Sequence, residues 1–410
     1  MTVLAVCCGL LSGIGGLCLV LTLHWVQHVA YGYSLDEIIG PESFFQGVSD
    51  ATPWRRFFVL CACGLVAGIG WGGLARYGRH RLSARSATDQ VQMPVAETVL
   101  HALLQVITVA LGSPLGREVA PREMGALLAQ RLLSSVKLSP EHYRLLLSCG
   151  AGAGLAAVYE VPVAGTVFIM EVMLGQARIA FLWAAAVSCL TSAFVARSGL
   201  GYELQYTMPA YSLTFALVVL STVMGPVFGT LGFMFRRQMS KATVNASPDL
   251  LGIIRAVGAF AVIGLFAMKV PAVLGNGKGP AELAFTNDIA PAALIVLLFM
   301  KLTAIRISLH VGAKGGLLTP GLSVGALLGL LFGSFIAPWV PGIEPGAVAI
   351  IGATAFVSSS MRMPLTALCL VMEFTNLPFP LVLPLAIATA GSEITRRGLD
   401  RVANQRDVVA

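Results

Sequence analysis

Residues 112–121 read Gly-Ser-Pro-Leu-Gly-Arg-Glu-Val-Ala-Pro, a glycine- and proline-broken turn that sets Arg117 and Glu118 between two apolar runs, 101–111 and 125–133. Backbone that faces lipid has no water to pair with, so a helix interrupted inside a membrane must be buried in protein or line a cavity. An ionisable side chain at such a place is a functional-site candidate by default. Where a helix starts within the membrane, its first N–H groups have no intrahelical partner and the macrodipole makes that end positive. Two such starts facing each other form an anion site that needs no formal positive charge, and glycine lets the backbone approach the ion closely. A later break, residues 312–320, supplies the second start. The expected backbone ligands are Gly116, Arg117 and Val119 from the first break and Gly316, Leu317, Leu318 and Thr319 from the second, with the Thr319 hydroxyl as a further donor. Glu118 can occupy the anion site itself, or be protonated and swing away. One group that competes with an anion and also carries a proton couples the two movements. The plain alternative is a glutamate that caps a helix or pairs with Arg117.

The elements that must position these residues follow from the bulk of the chain. Of its 410 residues 56% are hydrophobic and 11% charged, with a mean hydropathy of +0.81, against roughly 25% charged in a soluble domain. That makes it an all-α polytopic membrane protein. The net charge of +7 gathers in short loops, which reads as topology and excludes nucleic acid as a partner. The eight cysteines lie mostly inside apolar runs, with no CxxC and no Cys/His metal spacing; they read as small core side chains. No HExxH and no nucleophile–base pair stands out, so neither an enzyme nor a cofactor is expected. The first apolar run, 3–23, has no basic segment before it and no cleavage site after it, so it reads as a retained span.

Apolar runs follow at 57–74, 93–111, 145–174, 179–195, 213–235, 251–274, 291–309, 321–338, 347–357, 365–374 and 381–390. Several are shorter than the ~20 residues of a full span, and short, broken helices mark a transporter core. Residues 40–56 and 199–209 read as polar loops, and 275–280 as a third glycine-rich break. Arg76, Arg79, Arg81 and Arg85 outvote Arg55 and Arg56 and place the loop after the second run in the cytoplasm.

Two windows about 200 residues apart match. Gly116 to Pro121 leads to Gly125-Ala126-Leu127-Leu128, as Gly316 to Pro320 leads to Gly325-Ala326-Leu327-Leu328. Gly150-Ala151 with Pro162, Met170 and Glu171 answers Gly352-Ala353 with Pro364, Met372 and Glu373, and the proline-to-glutamate spacing is nine residues both times. The expected organisation is a first membrane repeat over 1–198, a second over 199–396 and a short cytoplasmic tail over 397–410. A duplicated fold places its ion site near the midplane, where the breaks meet.

At these residues the chain resembles the CLC family of chloride channels and chloride/proton antiporters, over about residues 76–389. Gly116-Arg117-Glu118 is similar to the family's GREGP motif, with Glu118 on its gating glutamate. Gly316 to Pro320 with Gly325 is similar to its GIFAP-type motif, and Gly277-Lys278-Gly279-Pro280 to another of its glycine-rich loops. The block 150–157, then Pro162, Ala164-Gly165 and 168–171, resembles the segment after the gate. The resemblance implies a homodimer in lipid, each subunit carrying its own anion path built from two inverted-topology repeats of short, tilted helices, with cytoplasmic termini. The size of the chain and its short loops suggest a bacterial inner membrane.

Departures from the family pattern bear on function. The serine loop written GSGIP has no counterpart where residues 81–94 should hold it; Ser113, or backbone near Met93-Pro94, is the candidate substitute. The tail has no tyrosine, Leu318 replaces the GIFAP phenylalanine, and Val172 stands where antiporters carry an inner proton-relaying glutamate, just after Glu171. The leading expectation is a chloride/proton antiporter gated by Glu118, its proton arriving by water or by way of Glu160. The alternatives are a fluoride/proton antiporter for fluoride export and a passive chloride channel.

Overall fold

The computed structural model describes residues 1–32, 43–78, 84, 92–175, 178–201 and 204–409. Sixteen α-helices and no strand are found among them. In chain order these are α1 (Thr2–Tyr31), α2 (Phe44–Asp50), α3 (Pro53–Tyr77), α4 (Val95–Ala110), α5 (Val119–Leu133), α6 (Pro140–Tyr159), α7 (Pro162–Phe168) and α8 (Ile179–Leu200). There follow α9 (Phe215–Ala242), α10 (Leu250–Lys269), α11 (Lys278–Phe285), α12 (Pro291–His310), α13 (Leu318–Ile336), α14 (Pro345–Met361), α15 (Pro364–Thr375) and α16 (Val382–Val409). Seven of the described helices are long and apolar enough to cross a membrane; α4, α14 and α15 are apolar but shorter. Of the basic residues used for topology, Arg76 lies in the last turn of α3, while Arg79, Arg81 and Arg85 lie outside the described residues, as does most of 81–94.

Local chemistry explains where helices start and stop. The expected 40–56 loop holds α2 instead: the Ser43 hydroxyl accepts from the Gln46 N–H and the Gln46 side chain accepts from the Ser43 N–H, at 3.3 and 2.9 Å. That reciprocal cap rescues a helix too short to form on propensity. Thr52 then caps α3, with Pro53 in its first turn. The 145–174 run is broken rather than continuous. α6 ends on Glu160, in the left-handed region at φ 53°, and Pro162 opens α7, which passes into a π-helical turn, Ile169–Leu174. α9 runs on through Arg236, Arg237 and Lys241, and α16 runs through the segment expected as a tail.

The matched windows share local backbone conformations. Gly112 and Gly312 both turn left-handed, at φ 97° and 84°. The N–H of Ser113 then donates to the Thr108 carbonyl at 2.9 Å, as that of Ala313 does to Ser308 at 3.1 Å. α14 ends on Arg362 at φ 57° as α6 ends on Glu160, and Pro364 opens α15 as Pro162 opens α7.

The chain divides into two compact units. The first comprises Met1–Glu203, Val244–Asn276 and Ile307–Gly316. In it α1 packs on α8, α6 and α5, and α3 on α10. Glycines set these distances: a Cβ at Gly64 would lie 2.7 Å from the Ala256 carbonyl oxygen, and one at Gly125 would overlap that of Gly150. Without a hydrophobic drive between helices in lipid, such close backbone packing does the holding. The second unit comprises Leu204–Thr243, Gly277–Arg306 and Leu317–Ala410. Here α13 packs on α14, and α9 on α16 and α14. The Ser359 hydroxyl donates to the Gly229 carbonyl at 2.6 Å, and that of Ser392 to Ala355 at 2.6 Å.

Candidate functional site

The first break is built by satisfying its backbone. α4 ends at Ala110, and the Gly112 turn has Tyr31 directly over it: a Cβ there would meet the Tyr31 hydroxyl at 2.6 Å. That hydroxyl donates to the Leu111 carbonyl at 3.1 Å, and the Gly275 N–H donates to the Gly112 carbonyl at 3.0 Å. The interrupted segment is thus paired inside the protein, as backbone at membrane depth must be.

Beyond Pro114 the two breaks meet within the first unit. Gly116 and Gly316 face each other as an antiparallel bridge, each N–H donating to the other's carbonyl at 2.8 Å. As expected anion ligands these two N–H groups need correcting, because each already has a carbonyl partner. The glycines serve the site through what they lack. The Glu118 carboxylate lies against both: a Cβ on Gly116 would overlap Oε2, and one on Gly316 would overlap Oε1. Glu118 is fully buried. It is the residue before α5, whose helical course begins at Val119, so its charge sits at the positive end of a helix.

The two neighbouring arginines turn to aromatic rings. The Arg117 guanidinium lies 5.5 Å from the centre of the Tyr159 ring, and its Nε and Nη1 are buried with no hydrogen-bond partner. Arg122, one turn into α5, donates from Nε to the Glu118 carbonyl at 2.7 Å and lies 5.3 Å from the centre of the Phe168 ring. The two arginines therefore rest on aromatic rings at the last residues of α6 and α7.

The remaining expected ligands lie at the two helix starts. Val119 is the first residue of α5. Leu317 caps α13, and Leu318 and Thr319 are its first two residues, both buried. Ser113 is buried in the first break. Glu171 and Val172 fall within the π-helical turn, half-buried.

One polar cluster escaped the reading of the residues. His101 and Gln105 on α4 and Glu123 on α5 are buried together, with Glu123 Oε2 3.0 Å and Gln105 Nε2 2.7 Å from the same His101 Nδ1. The signal was an ionisable residue inside each of two successive apolar helices.

A family profile described as "Voltage gated chloride channel" matches residues 58–397. The chain is 31% identical over 389 residues to a protein of Ralstonia nicotianae named "Putative chloride channel protein ClcB-like", covering 87% of this chain and 86% of that one. Among solved structures it is similar to a slow cyanobacterial Cl−/H+ antiporter, with a TM-score of 0.82 and 19% identity over 97% of this chain and 94% of that one. It is also similar to a CLC-type fluoride/proton antiporter, with a TM-score of 0.72 and 18% identity over 97% and 95%.

Proposed function

The chain belongs to the voltage gated chloride channel family, and from that premise we propose that it exchanges chloride for protons across a membrane, with Glu118 as the group for which both compete. One observation carries the reading: the Glu118 carboxylate is seated on the bare Cα atoms of Gly116 and Gly316, at the start of α5. A fixed negative group held there is a stand-in for a mobile anion. When protonated it has no charge to hold it at a positive helix end, so it leaves the seat and an anion takes its place. When the anion leaves, the deprotonated carboxylate returns. Each cycle then moves an anion one way and a proton the other. The N–H groups of Arg117 and Val119, with Ser113, are the ligands the first unit offers the anion while the carboxylate is away. The membrane is a bacterial inner membrane and the working unit a homodimer, with exposed apolar residues such as Ile179, Trp183 and Phe194 on α8 covered by lipid or a second copy.

The test is transport in proteoliposomes. An imposed chloride gradient with no proton gradient should drive protons uphill. Glu118→Gln should stop proton movement while chloride still passes. If both movements persist in that variant, the gate has been misassigned. A second reading, a passive chloride channel, is favoured by Val172, an aliphatic residue where the resemblance calls for a proton-relaying acid. Chloride flux with no proton movement in the unmodified protein selects it. Repeating the assay in fluoride separates chloride exchange from fluoride export.

A further inference from the structure

α4 and α5 run beside one another on one side of the first break. The Cys63 thiol lies 3.4 Å from the Thr108 carbonyl, and the Trp71 ring 6.5 Å from that of His101, so His101 lies toward the end of α3 that carries Arg76. α5 returns in the same direction. Glu123 meets His101, and further along the Gln130 side-chain oxygen accepts from the Met93 N–H at 2.7 Å, while the Gln130 amide donates to the Tyr143 hydroxyl at 3.2 Å. Polar groups therefore continue along α5 from Glu118, past Glu123 and His101, toward that face.

The contacts at His101 Nδ1 require a shared proton. An amide nitrogen only donates, so Gln105 Nε2 at 2.7 Å makes Nδ1 an acceptor. A charged carboxylate, by contrast, only accepts, and at 3.0 Å from an accepting nitrogen it would be repelled. The contact is attractive when Glu123 carries a proton. With the Gln105 amide turned over, its oxygen and Glu123 both accept from an N–H on Nδ1 instead. In either arrangement one proton sits at the Nδ1···Oε2 contact, with His101 3% and Glu123 4% exposed. Arg122 ties this pair to the gate: it donates to the Glu118 carbonyl and lies within electrostatic reach of both carboxylates.

We propose that His101 and Glu123 form a proton-holding site that loads Glu118, in the part that Val172 leaves unfilled. The inference rests on the exchange reading above. Five residue steps along the start of α5 lie between the two glutamates, about 7.5 Å of helical rise, a span for water to bridge. In the transfer the proton leaves the His101–Glu123 contact and an O–H bond forms on the Glu118 carboxylate. The pair is left one charge more negative until a proton arriving past Gln130 and Tyr143 restores it.

Two measurements on the full-length protein test this. In proteoliposomes, Glu123→Gln and His101→Asn should each slow proton movement by about a hundredfold or more, the scale of a lost proton-transfer group, so that fewer protons move per chloride; residual chloride flux reports that each variant is folded. Full coupling in both variants overturns the proposal. Infrared difference spectroscopy reads the pair without transport. The carbonyl stretch of a neutral, buried carboxylic acid, or the imidazole band of a ring exchanging a proton with it, should respond to pH in the unmodified protein and in Glu118→Gln, and vanish in Glu123→Gln. Unmodified protein that passes chloride without protons but keeps this signal removes the exchange reading and leaves the proton-holding site standing. Absence of the signal removes the site itself.

Discussion

A carboxylate resting on two glycines leaves no room at either for a side chain. Gly316→Ala would drive a methyl group into Glu118 Oε1 while leaving the backbone bridge chemically possible. Overpacking of this kind costs about 1–3 kcal/mol. The expected outcome is a lower Tm in detergent together with slower chloride efflux, because the methyl takes space that carboxylate and anion would share; unchanged efflux would count against a shared seat. That residue 118 would be a buried acid at a helix start was legible in the sequence, from a glycine-proline break inside an apolar stretch. The bridge was not. Pairing between residue 116 and residue 316 leaves no local pattern, and a glycine needed for close approach looks the same as one needed for a turn. The His101–Glu123 pair was missed for a related reason: each residue alone reads as a tolerated polar position on a helix, and only the packing of α4 against α5 makes them one group.

At the scale of elements, most helices were legible because length and hydropathy decide them, while their ends depend on single caps. The 57–74 run became Pro53–Tyr77 through Thr52 and Pro53, and the short α11 was hidden in a glycine-rich stretch. Caps also carry the pH dependence. At the start of α10 the Ser247 hydroxyl, and after it the Gly252 N–H at 2.9 Å, hold the Asp249 carboxyl below the usual carboxylate range. A carboxyl whose folded pKa is depressed adds stability above its unfolded value of about 3.9 and loses it as pH falls through the folded value. Asp249→Ala should therefore lower Tm at neutral pH, and the gap between variant and parent should narrow as the pH is taken below that range. The group is fully exposed, so the shift should be small and should shrink further in high salt.

At the scale of the molecule, neither compact unit is continuous in the chain. The first needs α10 as the main partner of α3, and needs residues 307–316 to complete the bridge. Residues 1–210 expressed alone should therefore lack a protease-resistant core, and co-expression with 211–410 should restore one; a resistant fragment from 1–210 alone would show that the amino-terminal helices suffice. The same discontinuity has a consequence for biogenesis. A nascent chain leaves the ribosome from its amino terminus, so Glu118 enters the bilayer long before Gly316 has been translated. Until then the Glu118 carboxylate has only one of the two glycines it rests on. On the exchange reading proposed above, no ion can use that seat before translation has passed the last residue of the bridge.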